Sequence, residues 1–262
     1  MIRALFSAAS GMYAQQLGID VIANNLANVN TTGYKKSKAE FQDLIYQTLR
    51  AAGTSSFQGV MVPTELQVGH GVRPVAVQKS FSQGDALATE RPLDVAIMGN
   101  GFFQISLPDG TIAYTRDGSF KMSDEGTLVT SDGFTLEPQI SLPEDTTSMS
   151  VAADGIVSIL VVGSTDSQEV GQIELAKFIN PAGLKNIGQN LYQPTAASGD
   201  PLLGTPSAEG FGQLNQGYLE GSNVKVVEEM VNMIVAQRAY ELNSKSIRTA
   251  EEMLQMANNI KR

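Results

Sequence analysis

Gly69-His70-Gly71 holds the only histidine of the chain, so any catalytic triad or metal cluster would have to be built around that one imidazole. No G-x-S-x-G elbow and no H-E-x-x-H pair accompanies it, and a histidine between two glycines reads as a turn residue. Gly99-Asn100-Gly101 follows an apolar run and faintly resembles a dinucleotide loop. Its third glycine is missing, and Phe102 to Leu107 reads as strand where phosphate binding needs a helix N-terminus. Asp-Gly pairs at 109–110, 117–118, 132–133 and 154–155 invite a calcium reading. A calcium loop needs several oxygens at fixed short spacing and an acidic closer, whereas each Asp here stands alone in its own turn. Lys35, Lys36 and Lys38 read as a solvated basic edge or, inside an assembly, as a face toward a neighbour's acidic middle. Glu228-Glu229 and Glu251-Glu252 fall on helical positions without a cleft, so they give no general acid/base pair. Without cysteine there is no disulfide, zinc-thiolate or thiol nucleophile. The expectation is no enzyme, no cofactor and no metal.

The more specific pattern lies in the elements at the two ends. Ile2, Leu5, Ala9, Met12, Ile19, Ala23 and Leu26 follow a 3-4 alternation broken by Gln16. Val226, Met230, Met233, Tyr240, Ile247 and Leu254 do the same, with Gln237, Ser244 and Glu251 in register. Each apolar stripe must bury its face against something outside its own segment. Asn24, Asn25, Asn28, Gln237 and Asn243 lie on or beside the stripes, where buried amides fix register at some cost in stability. The bland reading is an intramolecular helix pair or a simple dimer; the sharper one is a helical layer shared among many subunits. An isolated subunit would lack those partners, which predicts frayed ends over residues 1 to about 35 and 225 to 262.

Charge follows the same division. Of the net −9, residues 1–38 hold four bases against one acid, 222–262 six against five, and 39–221 eight against 21. The acidic middle suits solvent and the near-neutral ends suit packing, and no basic face for nucleic acid is present. No apolar run approaches the roughly 18 to 20 residues that span a bilayer. Ser7, Ser10 and Gly11 interrupt the apolar block a cleaved signal peptide would require.

All ten prolines fall between Pro63 and Pro206, and Ser222 to Arg262 contains neither Pro nor Gly. That predicts one long helix capped by Ser222 or Asn223, and a first helix from about residue 3 to Val29. Phe41, Leu44, Ile45 and Leu49 predict a short helix within 39–52, followed to 72 by an extended connector or hairpin. From 73 to 221, Asp-Gly turns separate alternating runs such as Val95/Ile97, Phe103/Ile105/Leu107, Phe120/Met122 and Val157/Ile159/Val161. The expected fold is mainly β with α-helical termini. An antiparallel sandwich or barrel-like middle domain (73–221) is carried on a bundle of coiled-coil-type helices (1–38 and 222–262).

Ala23 to Lys36 (ANNLANVNTTGYKK) and Met230 to Ile247 (MVNMIVAQRAYELNSKSI) resemble the terminal signatures of bacterial flagellar rod and hook proteins. PLDVAIMGNGFFQI (92–105) and YTRDGSFKMSDEGTLVTSDGF (114–134) agree with the same axial family. Within it, the length, the opening fifty residues and Val60 to Val77 look most like subunits of the distal rod; a hook or proximal rod subunit is the alternative. The resemblance implies a self-assembling, rigid hollow helical tube across the periplasm. Its implied partners are proximal rod proteins, hook protein, the outer-membrane and peptidoglycan ring proteins that act as bushing, and the flagellar type III export apparatus, without membrane insertion. The matched positions are Asn24, Asn25, Asn28, Gly33, Gln237, Arg238, Tyr240 and Glu241, and Phe6 stands where a Trp is common. Together with the stripes they give an expected subunit interface of Leu5, Ala9, Met12, Ile19, Asn24, Asn25, Leu26, Asn28, Met230, Met233, Gln237, Arg238, Tyr240, Glu241, Ile247 and Leu254. Residues 39 to about 72, with Phe41, Leu44, Ile45, Leu49 and Pro63, would match the segment that distinguishes a stiff rod from a bendable hook.

Overall fold

The apolar-periodic stretch at each end folds as helix. Helix α1 runs Ile2–Ala27 and α2 runs Val226–Ile260, 26 and 35 residues; α2 is about 52 Å long at roughly 1.5 Å per residue. The computed structural model describes residues 2–53, 63–143, 145–163, 166–208 and 210–260. The chain divides into a helical unit (1–26, 37–78 and 225–262) and a β unit (27–36 and 79–224).

In the helical unit the two helices pair antiparallel. Gly11 lies against Asn243, and Asn25 bonds Glu229, so the contact moves back along α2 as it moves forward along α1. They meet at Gly11 and at the polar pair Asn25–Glu229; Ala8 and Ala14 on α1 and Ala236 and Ala250 on α2 are also buried. A Cβ on Gly11 would come within 2.8 Å of the Asn243 amide, so glycine permits the close approach. In this register Ile2 stands opposite about Glu252, and residues 251–259 are all exposed.

The short helix expected within 39–52 is absent. Ser37–Asp43 pairs with Val72–Lys79, and Tyr46–Arg50 pairs with Leu66–Gly69, with Tyr46 opposite Gly69. Tyr46, Thr48 and the valines of 72–77 suit a pleated ladder, and pairing with a partner distant in sequence overrides the local 3-4 spacing. Of the segment from 53 to 72, residues 54–62 lie outside the described residues.

The β unit centres on strand Phe102–Ser106, flanked by Ile112–Thr115, Thr135–Glu137 and, at its start, Leu175–Lys177. Its alternation serves both faces of the sheet. Phe103 and Ile105 join the larger core with Val95, Ile97, Leu136, Ile159, Ile173, Leu175 and Leu214. Phe102 joins Tyr114, Ala176, Phe178 and Tyr192 in a second, aromatic core. A three-stranded sheet (Thr146–Val151, Ile156–Val161, Gln168–Gln172) and two short pairs complete the unit. No barrel closes among the described residues.

Three of the four Asp-Gly pairs, and Gly126, sit in hairpin turns with φ between 76° and 86°. Asp117-Gly118 does not. Gly118 packs against the Val95 carbonyl, leaving no room for a side chain.

Helix α2 starts at Val226, later than expected, because Asn223 is occupied elsewhere in the β unit. Its Oδ1 accepts the Lys36 N–H (2.7 Å), and its amide donates to the carbonyls of Ser80 (2.8 Å) and Ser82 (3.2 Å). Ser80 N–H in turn donates to the Lys36 carbonyl. One side chain thus ties three stretches of backbone together. Gly33 closes the same region at φ 66°, where a Cβ would meet the backbone of Arg116 and Asp117 at 2.7–2.8 Å. Gly33→Ala is expected to destabilise the β unit by about 2 kcal/mol or more, from the left-handed backbone and the clash together. The urea midpoint read by near-UV circular dichroism measures it.

Candidate assembly surface

The stripes that suggested helical association are only partly covered within the chain. Along α2, Val226, Met230, Gln237, Tyr240, Glu251 and Leu254 are exposed, and Met233, Ser244 and Ile247 half-buried. On α1, Ile2, Ala9, Gln16 and Ala23 are exposed, and Leu5, Met12, Ile19 and Leu26 half-buried. The contacts between α1 and α2 fall instead at Gly11 with Asn243 and at Asn25 with Glu229, each one position from a stripe residue. This leaves large side chains on the outside: Phe6 (68% exposed), Val227 (75%), Val231, Ile234 (57%) and Val235. Single exposed apolar residues are ordinary, but a run on consecutive turns marks an interaction surface.

The polar motif residues divide. Asn24, Gln237, Arg238 and Glu241 are exposed, the last two as a loose surface pair at 4.0 Å. Asn28, half-buried in the β unit, accepts the Thr31 hydroxyl. Asn25 is buried and used inside the chain. Its amide donates to the Ser37 carbonyl (2.8 Å) and to Glu229 Oε2 (3.1 Å), and its Oδ1 accepts the Ser37 N–H (2.9 Å). It therefore ties α1, the first strand and α2. In the segment expected to stiffen a rod, Phe41, Ile45 (87% exposed), Leu49 and Pro63 are exposed and Leu44 half-buried. His70 lies beside Leu44, Ile45 and Tyr46 in an open apolar groove.

The candidate chemistry does not assemble. Asp109, Asp117 and Asp154 each accept N–H bonds within their own turns. The Thr111 hydroxyl on Asp109 (2.6 Å) also holds that carboxyl below the usual carboxylate range. Gly99-Asn100-Gly101 joins two strands, Val95–Met98 and Phe102–Ser106.

One cluster was invisible in the sequence. Lys35, expected on a solvated edge, is fully buried in the β unit, its Nζ 2.6 Å from Glu220 Oε1 and 2.8 Å from the Ser82 carbonyl. Glu220 Oε1 also accepts the Gly84 N–H, and Arg116 Nη1 stands 3.6 Å from Oε2. Burial pushes both Lys35 and Arg116 below their ordinary pKa ranges, and Glu220 counters it. Two buried cations thus share one carboxylate. Lys35 and Glu220 are 185 residues apart, so no local spacing betrays the pair.

Comparison with known proteins places the chain among flagellar axial proteins. Residues 5–35 match the family described as flagella basal body rod protein. Residues 96–159 match the flagellar hook protein FlgE/F/G D1 domain, and 215–260 the flagellar basal body rod FlgEFG protein C-terminal family. The flagellar basal-body rod protein FlgG of Borreliella burgdorferi is 55% identical, covering all of both chains. That of Bacillus subtilis is 42% identical, again over both full lengths. The flagellar hook protein FlgE of Helicobacter pylori is 34% identical over 87% of this chain but only 32% of its own.

Proposed function

Because the chain belongs to the FlgG family of flagellar basal-body rod proteins, we propose that it polymerises through its terminal helices into the rigid tube of the distal rod. It is a structural subunit of the flagellar basal body rather than an enzyme. The full-length matches are to rod proteins, whereas a hook relative matches over a third of its own length. The observation that carries the assembly reading is the run of large apolar side chains left exposed along α2, Val227, Val231, Ile234 and Val235. Each large apolar side chain buried in a neighbour is worth roughly 1.5 to 3 kcal/mol. Several per subunit, in coiled-coil-type packing, outweigh the ordering of the surface. The tube carries torque across the periplasm to the hook and lines a channel through which further subunits pass. Its partners are the proximal rod, the hook, the ring proteins around it and the flagellar export apparatus. No described helix is long and apolar enough to cross a membrane.

Electron microscopy of concentrated purified protein tests the reading. Straight hollow tubes are expected; a chain that stays monomeric at every concentration contradicts it.

A further inference from the structure

The β unit holds a cavity of about 240 Å³ beside the buried ion cluster. Its walls include Phe81, Phe102, Phe178, Ile179, Arg116 and Lys177. Arg116 is 3% exposed, and neither its Nε nor the nearby Glu220 Oε2 has a hydrogen-bond partner among the described residues. Its other nitrogens reach the carbonyls of Gly99 (2.6 Å) and Ile97 (3.5 Å). The guanidinium stands 5.4 Å from the centre of the Phe102 ring. Among the described residues Glu220 is the one acid paired with both Lys35 and Arg116, so their cluster carries a surplus positive charge even before Lys177 is counted. A buried cation with an unmade hydrogen bond is costly, and a charge-assisted bond from a carboxylate relieves both deficits.

We infer that this cavity receives an acidic side chain from a second copy of the chain, its carboxylate bonding Arg116 and Lys177 and its stem packing on the phenylalanines. This rests on the assembly proposed above. The cavity is smaller than the roughly 300 Å³ at which small-molecule sites begin, so it fits a side chain better than a cofactor. Ile179, 81% exposed, gives it an apolar rim of the kind a protein surface covers. The occupant is at hand in the partner's own sequence, since residues 39–221 carry 21 acids against eight bases.

The test uses full-length monomer with 15N-labelled arginine, N-acetylglutamate amide as probe, and the variant Lys177→Glu. Lys177 is half-buried at the wall, and circular dichroism checks that the variant folds. A saturable shift of the Arg116 Nε–H resonance is expected in the wild type, with affinity reduced about tenfold or more in the variant. The variant should also need about tenfold more protein to polymerise. Absence of any shift up to about 50 mM probe overturns the site. A shift accompanied by unaltered polymerisation of Lys177→Glu overturns the second-copy occupant and leaves a free carboxylate as ligand. A wild type that shows the shift but forms no tubes sinks the assembly reading, and the second-copy occupant with it, but not the pocket.

Discussion

Chains carrying Ile234→Asp stay folded and fail to form tubes, at concentrations about a hundredfold above those that suffice for the wild type. Ile234 is 57% exposed on α2, so the monomer loses little. The polymer loses the burial of one large side chain per subunit, roughly 1.5 to 3 kcal/mol. It must also bury an unpaired carboxylate, which costs several kcal/mol more. A hundredfold is about 2.7 kcal/mol, well inside that sum. Sedimentation and electron microscopy read the outcome, with unchanged helical circular dichroism as the control; normal tubes would remove the apolar face of α2 from the interface. Leu5 and Ile247 are poorer sites for the same experiment, because both are half-buried within the chain.

Glu220→Gln costs the β unit about 3 to 5 kcal/mol, the usual penalty for leaving buried charge without its partner. Here two cations lose the same carboxylate, and the Gly84 N–H loses its charged acceptor. Lys35→Met should cost less, although it also removes a bond to Ser82. It leaves Glu220 and Arg116 matched one to one, and methionine fills most of the volume. Urea unfolding followed by near-UV circular dichroism compares the two variants. Equal losses would mean that the surplus charge carries no energetic weight.

These expectations show where the sequence was readable. Both helices, the β character of the middle and most hairpin turns followed from periodicity and Asp-Gly chemistry, because those signals are local. The stretch from Phe41 to Leu49 misled because helical spacing and strand pairing compete there, and pairing with Leu66–Gly69 and Val72–Lys79 wins. The apolar heptads were legible, but their role within the chain was not. The helices meet at Gly11 and through the Asn25–Glu229 pair, residues that an apolar count passes over in favour of their larger neighbours. Lys35 was misplaced for a different reason: a lysine's burial depends on an acid far along the chain, and only the folded sheet brings Glu220 to it.

The offset between the helices has its own consequence. Ile2 sits opposite about Glu252, so the last two turns of α2 overhang without a helical companion among the described residues. Such an end frays in water, since its last carbonyls lack intrahelical partners and no packing offsets the ordering of its residues. In a free copy the amides of 253–259 therefore exchange first and melting creeps inward to Ala250, while in a polymer those amides become slow only if another molecule splints the overhang.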